Sequence, residues 1–250
     1  MSKVDSYRQI LHTLDHWDPF LLQESGLPGP RANLELLQAV ADEGSEAQFR
    51  HWLTLGPDQA PVNSPEQFLA VCGVVGLGRL LAEGHGEVLP ILRGYASDPR
   101  WRMREGVAMA LQRLGDCDMD ALLAEMAAWS RGNWLEKRAA AAGLCEPRLL
   151  TRPHHTQRVL QLLDDITASV AASRDRKGDA FKTLRQALGY CWSVAVAALP
   201  AEGKAAMEKW LPAADPDVAW IMKENLKKKR LQRIAPAWVD ALSASLHPLG

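Results

Sequence analysis

The residues with the clearest chemical potential in this sequence are basic, and they gather in its second half. Residues 131–233 hold 19 Lys and Arg against 11 Asp and Glu, whereas residues 1–130 hold 10 against 18. Clustered cations attract phosphate groups through Coulomb attraction and the release of counterions. The second half therefore predicts an anion-binding surface, with a solvated helix face as the alternative. The cations assigned to that surface are Arg138, Arg148, Arg185, Lys223, Lys227 and Arg230.

Tryptophan is the second residue type that suggests binding, because nine occur in 250 residues. Aromatic faces stack on bases and on apolar ligands, but the same rings also pack one helix against another. Both interpretations stay open at this point. The residues predicted to form an aromatic platform are Tyr95, Trp101, Trp134 and Trp220.

Other groups of reactive residues lack the spacing that catalysis or metal binding requires. His154 and His155 are adjacent, but Pro153 precedes them and no Glu or Cys stands at ligand spacing, so we predict a surface loop and no metal site. The four cysteines form no CxxC pair. The glycines of residues 73–79 follow no strand, which excludes a dinucleotide fingerprint. We expect no cofactor.

Composition indicates which elements must position these residues. Ala and Leu contribute 72 residues, whereas Val, Ile and Thr together contribute 25. Helices favour the first group and strands the second, so the sequence predicts an all-α protein. No apolar run reaches the ~18 residues of a membrane span, and no secretory signal is visible. We expect a cytoplasmic chain without a membrane segment.

An internal repeat organises the helices. Residues 101–107 (WRMREGV) and 220–226 (WIMKENL) share Trp, Met, a basic residue and Glu at the same positions. Weaker copies begin at Trp134 and Phe181. Aligned on the basic residue, the four copies are 34, 47 and 38 residues apart, a spacing typical of two-helix repeats. The aligned residues are Arg104, Arg138, Arg185 and Lys223.

The segment 98–114 (DPRWRMREGVAMALQRL) resembles a HEAT repeat, in which an Asp and an Arg tie turn to helix between neighbours. The resemblance implies a HEAT-like α-solenoid of about five to six antiparallel helix pairs with a right-handed superhelix. We expect residues 1–250 to form one such domain. Residues 5–85 would be degenerate pairs, 86–233 clear repeats and 235–246 a capping helix.

An aromatic-rich solenoid of this length also resembles the bacterial alkylpurine DNA glycosylases built from HEAT-like repeats. Their pattern of Asp, two residues, Trp and basic residues is matched by Asp98, Trp101, Arg102 and Arg104. The resemblance implies that Asp98 is the catalytic carboxylate. The sequence departs from the family at Gly94, where an aromatic is expected, and at Cys145, where an Arg is expected. Asp98 also fits a helix cap, since Pro99 follows it.

Three functions remain open. The first is a non-enzymatic recognition scaffold, a monomer whose partly basic concave surface binds DNA or another nucleic acid by its backbone. The second is an alkylpurine DNA glycosylase that acts through Asp98. The third is a scaffold or assembly helper that binds only a protein partner. In all three, we expect Arg104 to be structural and to reach the turn at Asp98.

Overall fold

The computed structural model describes residues 2–211 and 215–245. These residues form helices and connecting turns and contain no strand, which confirms the all-α prediction. Contacts divide the chain into two compact units, Met1–Cys117 and Asp118–Gly250. The single continuous solenoid stays a prediction.

Unit 1 consists of seven α-helices and one short 3-10 helix among its described residues. The most buried is α5, which is uncharged over most of its length. The helices are α1 (Lys3–Leu11), α2 (Asp18–Glu24), α3 (Leu34–Glu43), α4 (Glu46–Trp52), α5 (Pro65–Ala82), α6 (Leu89–Tyr95) and α7 (Trp101–Cys117), and the 3-10 helix is Gly86–Val88.

The glycines of residues 73–79 lie on α5 and permit close helix packing. The sequence alone excluded a dinucleotide fingerprint for them but gave them no other role. A Cβ atom at Gly76 would overlap the ring of Phe49 on α4. A Cβ atom at Gly78 would overlap the backbone of Ala110 on α7, with the carbonyl oxygen only 2.7 Å away. Helices α4 and α7 therefore approach α5 at a distance that only glycine allows.

Helix α7 buries the face that its sequence predicts. Apolar residues recur on it at the spacing of one helical face, and each of them is buried. These residues are Met103, Val107, Ala110, Leu111 and Leu114. Arg104, on the same helix, donates to the backbone oxygen of Asp98 at 2.7 Å, which confirms its predicted contact with that turn.

Helix α5 is also, within the described residues, the one helix long and apolar enough to span a membrane by length and composition. Most of this helix, 78%, is buried inside the structure. Its side chains are thus already covered by protein, as expected of a core helix.

Unit 2 contains eight α-helices and one short 3-10 helix in its described part. The helix predicted at 235–246 agrees closely with the last of them, although residue 246 lies outside the described residues. The helices are α8 (Met119–Trp129), α9 (Trp134–Leu144), α10 (Pro153–Ala172), α11 (Asp179–Ala198), α12 (Pro200–Glu208), α13 (Pro216–Leu226), α14 (Lys229–Ile234) and α15 (Pro236–Ser245), and the 3-10 helix is Pro147–Leu149.

Helices α11 and α13 of unit 2 run parallel. Near the starts of α11 and α13, Arg185 pairs with Asp217. Towards their ends, the backbone N–H of Ser193 donates to the side-chain oxygen of Asn225 at 2.8 Å. Both helices therefore advance in the same direction, with one intervening helix between them in the chain.

The four aligned basic residues lie on α7, α9, α11 and α13, as the repeat requires. They stand at the fourth, fifth, seventh and eighth residue of their helices, so each helix begins at a different point relative to the motif. Their structural equivalence across the chain stays a prediction.

We expect Gly78→Ala to lower the free energy of unfolding by about 1–3 kcal/mol, because the added methyl group must push α5 away from the backbone of α7. Gly94→Ala is the matched control, since a Cβ atom there meets nothing within 4 Å. The control should leave stability unchanged or raise it by up to about 1 kcal/mol. Urea unfolding of both variants measures the difference, and equal midpoints would contradict the close packing.

Candidate anion-binding site

The predicted catalytic carboxylate, Asp98, forms an ion pair in the turn before α7. Its Oδ2 atom lies 2.9 Å from Nη2 of Arg100, and its Oδ1 atom accepts from Nε of Arg100 at 3.0 Å. Both side chains are nearly buried, at 8% and 3% exposure. Oδ1 also accepts the backbone N–H of Arg100, as a capping carboxylate does. Its catalytic role stays a prediction.

Arg100 also links the turn before α7 to the segment that follows α4. Its Nη1 atom donates to the carbonyl oxygens of Leu55 and Ala60 at 3.0 and 3.2 Å. The hydroxyl of Tyr95 donates to the neighbouring carbonyl of Leu53 at 3.0 Å, and burial raises the pKa of Tyr95. Asp98 and Tyr95 therefore both contribute to holding one loop of unit 1 in place.

Trp101 is the predicted platform residue with the most accessible ring. It is 45% exposed, and the guanidinium of Arg102 lies over its ring at 4.2 Å. Arg102 in turn donates to the carbonyl oxygen of Gly29 and the side-chain oxygen of Asn63. Burial lowers the pKa of Arg102. The guanidinium thus serves the packing of unit 1 and covers part of the Trp101 ring.

In unit 2, most of the predicted nucleic-acid-binding cations already have partners. Arg138 is buried in α9. Arg148 pairs with Glu146 at 3.2 Å, and Lys227 pairs with Glu224. Lys223 is partly exposed on α13. The structure does not gather the six predicted cations into one cluster.

Arg185 and Trp220 are two predicted site residues that the structure does bring together. The Arg185 guanidinium lies 4.4 Å from the centre of the Trp220 ring and also pairs with Asp217. Arg176 pairs with the same Asp217 at 3.1 Å and with Asp215 at 2.6 Å. These contacts form a network of two arginines and two aspartates at the start of α13.

Arg230 makes a comparable contact near the C-terminal end of the described chain. Its guanidinium lies 4.6 Å from the centre of the Tyr190 ring and donates to the Tyr190 hydroxyl at 2.9 Å. Trp134 packs edge-on against Phe181 at 5.4 Å. The predicted platform residues of unit 2 are therefore engaged with neighbouring side chains.

A cavity of about 500 Å³ between α8, α9 and α10 brings together three other cations, which the sequence did not assign to a site. Arg131 follows the end of α8, Lys137 lies on α9 and Arg158 on α10. The rest of the lining mixes small, amide and apolar side chains with one carboxylate. These residues are Ala127, Ser130, Gln161, Leu162, Asp165 and Ser169.

Unlike Arg148, Arg185 and Lys227, the three cations of the cavity do not pair with a carboxylate within the described residues. Arg158 donates to the side-chain oxygen of Gln161 at 3.2 Å, and the Lys137 ammonium lies 4.6 Å above the Trp134 ring. Within residues 2–211 and 215–245, neither these two nor Arg131 forms an ion pair with a carboxylate. The three cations outnumber the one lining carboxylate, Asp165, so the cavity carries a net positive charge.

Among the cavity cations, Lys137 has a pKa that burial changes. Desolvation lowers the pKa of the Lys137 ammonium, since the charged form loses water contacts without gaining a carboxylate. An incoming anion would supply the missing partner. A phosphate group, with several acceptor oxygens, suits two arginines and a lysine in one cavity.

The prediction of a surface loop at His154 and His155 is wrong. Pro153 opens α10, and both histidines stand in its first turn, because proline is well accommodated at the first helical position. His155 is buried, and its Nε2 atom lies 3.2 Å from Oδ1 of Asp120 on α8. Asp120 is 34 residues before His154, so no local spacing rule could have joined them.

Comparison with protein-family models and with curated proteins finds no match for this chain. The arrangement of its own side chains therefore carries the functional argument.

We expect Asp98→Asn to lower the free energy of unfolding by about 2–4 kcal/mol, because it leaves the buried Arg100 guanidinium without its counterion. Asp118→Asn is the matched control, since Asp118 caps α8 from an exposed position and Asn caps a helix equally well. Thermal unfolding compares the two. Equal losses would show that Asp98 acts only as a cap.

The network at the start of α13 predicts acid sensitivity. Burial is the largest single influence on Asp215 and would raise its pKa. The hydrogen bond from Arg176, the backbone N–H groups of Val218 and Asp217, and the attraction of the Arg176 charge together outweigh it, so the pKa is lowered. The stabilisation is therefore present above about pH 4 and is lost as the pH falls through the folded-state pKa. In Asp215→Asn, the free energy of unfolding should fall less on acidification than in wild type. The difference should be no more than about 1 kcal/mol, since the ion pair is partly solvated.

Asp179→Asn provides the control for that measurement, because it removes an exposed carboxylate from the start of α11. Stability is measured by urea unfolding at several pH values from neutral to acidic. An Asp215→Asn profile parallel to that of the wild type would contradict the role of the ion pair.

Proposed function

We propose that this chain is a non-enzymatic helical scaffold that binds the phosphate backbone of nucleic acid through the cavity of unit 2. The observation that carries the proposal is the convergence of Arg131, Lys137 and Arg158 on one cavity whose lining includes a single carboxylate, Asp165. Neutralising such cations with phosphates releases counterions and therefore favours binding.

The charge of the two units supports the same assignment. Residues 118–250 carry 19 Lys and Arg against 15 Asp and Glu, whereas residues 1–117 carry 10 against 15. A polyanion is therefore attracted by unit 2 and repelled by unit 1. The near-neutral total conceals this difference.

The surroundings of the cavity favour backbone contacts over base contacts. Lys137 covers one face of the Trp134 ring, and Phe181 meets it at 5.4 Å. That ring is thus occupied by the protein itself. Phosphate contacts carry no sequence information, so binding should show little sequence preference.

The repeat architecture is the finer part of the proposal. The parallel course of α11 and α13 supports a HEAT-like stack, as does the pairing of Arg185 on one helix with Asp217 at the start of the other. Such stacks offer extended surfaces to long partners. The proposal includes no catalytic step, because the Asp98 carboxylate is engaged by Arg100.

The test is a titration of labelled single-stranded and duplex DNA at two salt concentrations. Wild type should bind more weakly at higher salt. The double variant Arg131→Gln/Arg158→Gln should bind more weakly still and should reduce the slope of log K against log salt by about two, one for each lost phosphate contact.

A control variant, Arg31→Gln/Arg50→Gln, removes the same charge from exposed positions of unit 1. It should bind DNA as tightly as wild type. Absence of DNA binding at low salt would contradict the proposal and favour a protein partner. An equal effect of both double variants would show that only net charge matters.

A further inference from the structure

A cluster of three potential metal ligands lies where the first turns of α8 and α10 meet. Asp120 supplies a carboxylate from α8, and His154 and His155 supply two imidazoles from α10. One ligand atom from each residue lies within 4.8 Å of the other two. The two rings are 4.1 Å apart between centres. Two histidines and a carboxylate are a ligand set that proteins use for zinc.

We propose that Asp120, His154 and His155 bind a divalent transition-metal ion of the zinc type. This site is separate from the cation-lined cavity and does not depend on the proposed function. Ligands around tetrahedral zinc are roughly 3.4 Å apart, given bonds of about 2.0–2.2 Å. His155 and Asp120 already meet this spacing at 3.2 Å. The ligand atom of His154 lies within 4.8 Å of the other two, so a small side-chain movement completes the set.

The burial pattern allows that movement. The His155 side chain is 5% exposed and is therefore fixed by the surrounding helices, whereas Asp120 is 78% exposed and free to adjust. His154 is also exposed. One rigid ligand and two mobile ones make a site that closes on the ion. Because the protein supplies three ligands, a fourth position stays open to water or another ligand.

The cluster lies at the N-terminal ends of two helices, and this position favours some metal ions over others. Both helices present their N-terminal ends, whose partial positive charge opposes a cation. Strong bonds from imidazole nitrogen must therefore supply the affinity. Zn²⁺ and its neighbours Ni²⁺ and Cu²⁺ form such bonds, whereas Mg²⁺ and Ca²⁺ prefer sites made wholly of oxygen.

The experiment is a Zn²⁺ titration of the full chain in competition with a chromophoric chelator. We expect one Zn²⁺ per wild-type chain and a rise in its melting temperature with added Zn²⁺. His154→Ala and Asp120→Asn change exposed residues and should leave the fold intact. Each should weaken Zn²⁺ binding about tenfold or more and abolish the thermal shift.

His85→Ala is the matched control, because His85 is an exposed histidine 3.0 Å from a carboxylate, that of Glu87, but lies outside the cluster. It should bind Zn²⁺ as wild type does. Replacing Zn²⁺ by Mg²⁺ should give no thermal shift. Unchanged affinity in His154→Ala and Asp120→Asn, or an equal loss in His85→Ala, would overturn the proposal.

Discussion

A buried charge needs a partner, and this requirement sorts the cations of the chain into two groups. Breaking a buried ion pair is costly, because the remaining charge is neither hydrated nor compensated. The buried Arg100 meets the requirement through Asp98 and two carbonyl oxygens, and the partly exposed Arg176 pairs with Asp215 and Asp217. These arginines hold turns against helices. In the cavity of unit 2, Arg131 and Arg158 are exposed to water and Lys137 is partly buried, and within the described residues none of the three forms an ion pair with a carboxylate.

Local features of the fold can be predicted from the sequence, whereas the partners of charged side chains cannot. Helix α7 was predictable, because its apolar spacing is local and Asp98-Pro99 marks its approach. The contact between Arg104 and the Asp98 turn was predictable for the same reason. By contrast, the partner of a charged side chain lies wherever the fold brings it. Arg185 meets Asp217 across 32 residues, and no periodicity in the sequence indicates that distance.

Because the sequence does not show long-range contacts, its predictions were least accurate for the candidate sites. Basic residues were assigned by their density along the chain, but density does not show which of them face one another. Arg131, Lys137 and Arg158 come from three elements and meet only because α8, α9 and α10 pack together. The prediction of a loop at the histidine pair is wrong because Pro153, which often marks a loop, here opens a helix. In both cases, long-range packing rather than local pattern decides the chemistry.

The central claim is that a nucleic acid binds the unpaired cations of the cavity and not the paired ones elsewhere in unit 2. Lysine acetylation with and without a single-stranded oligonucleotide tests it most directly, because each lysine reports separately. The account predicts protection of Lys137, which lines the cavity, and no protection of Lys227, which pairs with Glu224. Protection of Lys227 with full reactivity at Lys137 would contradict it.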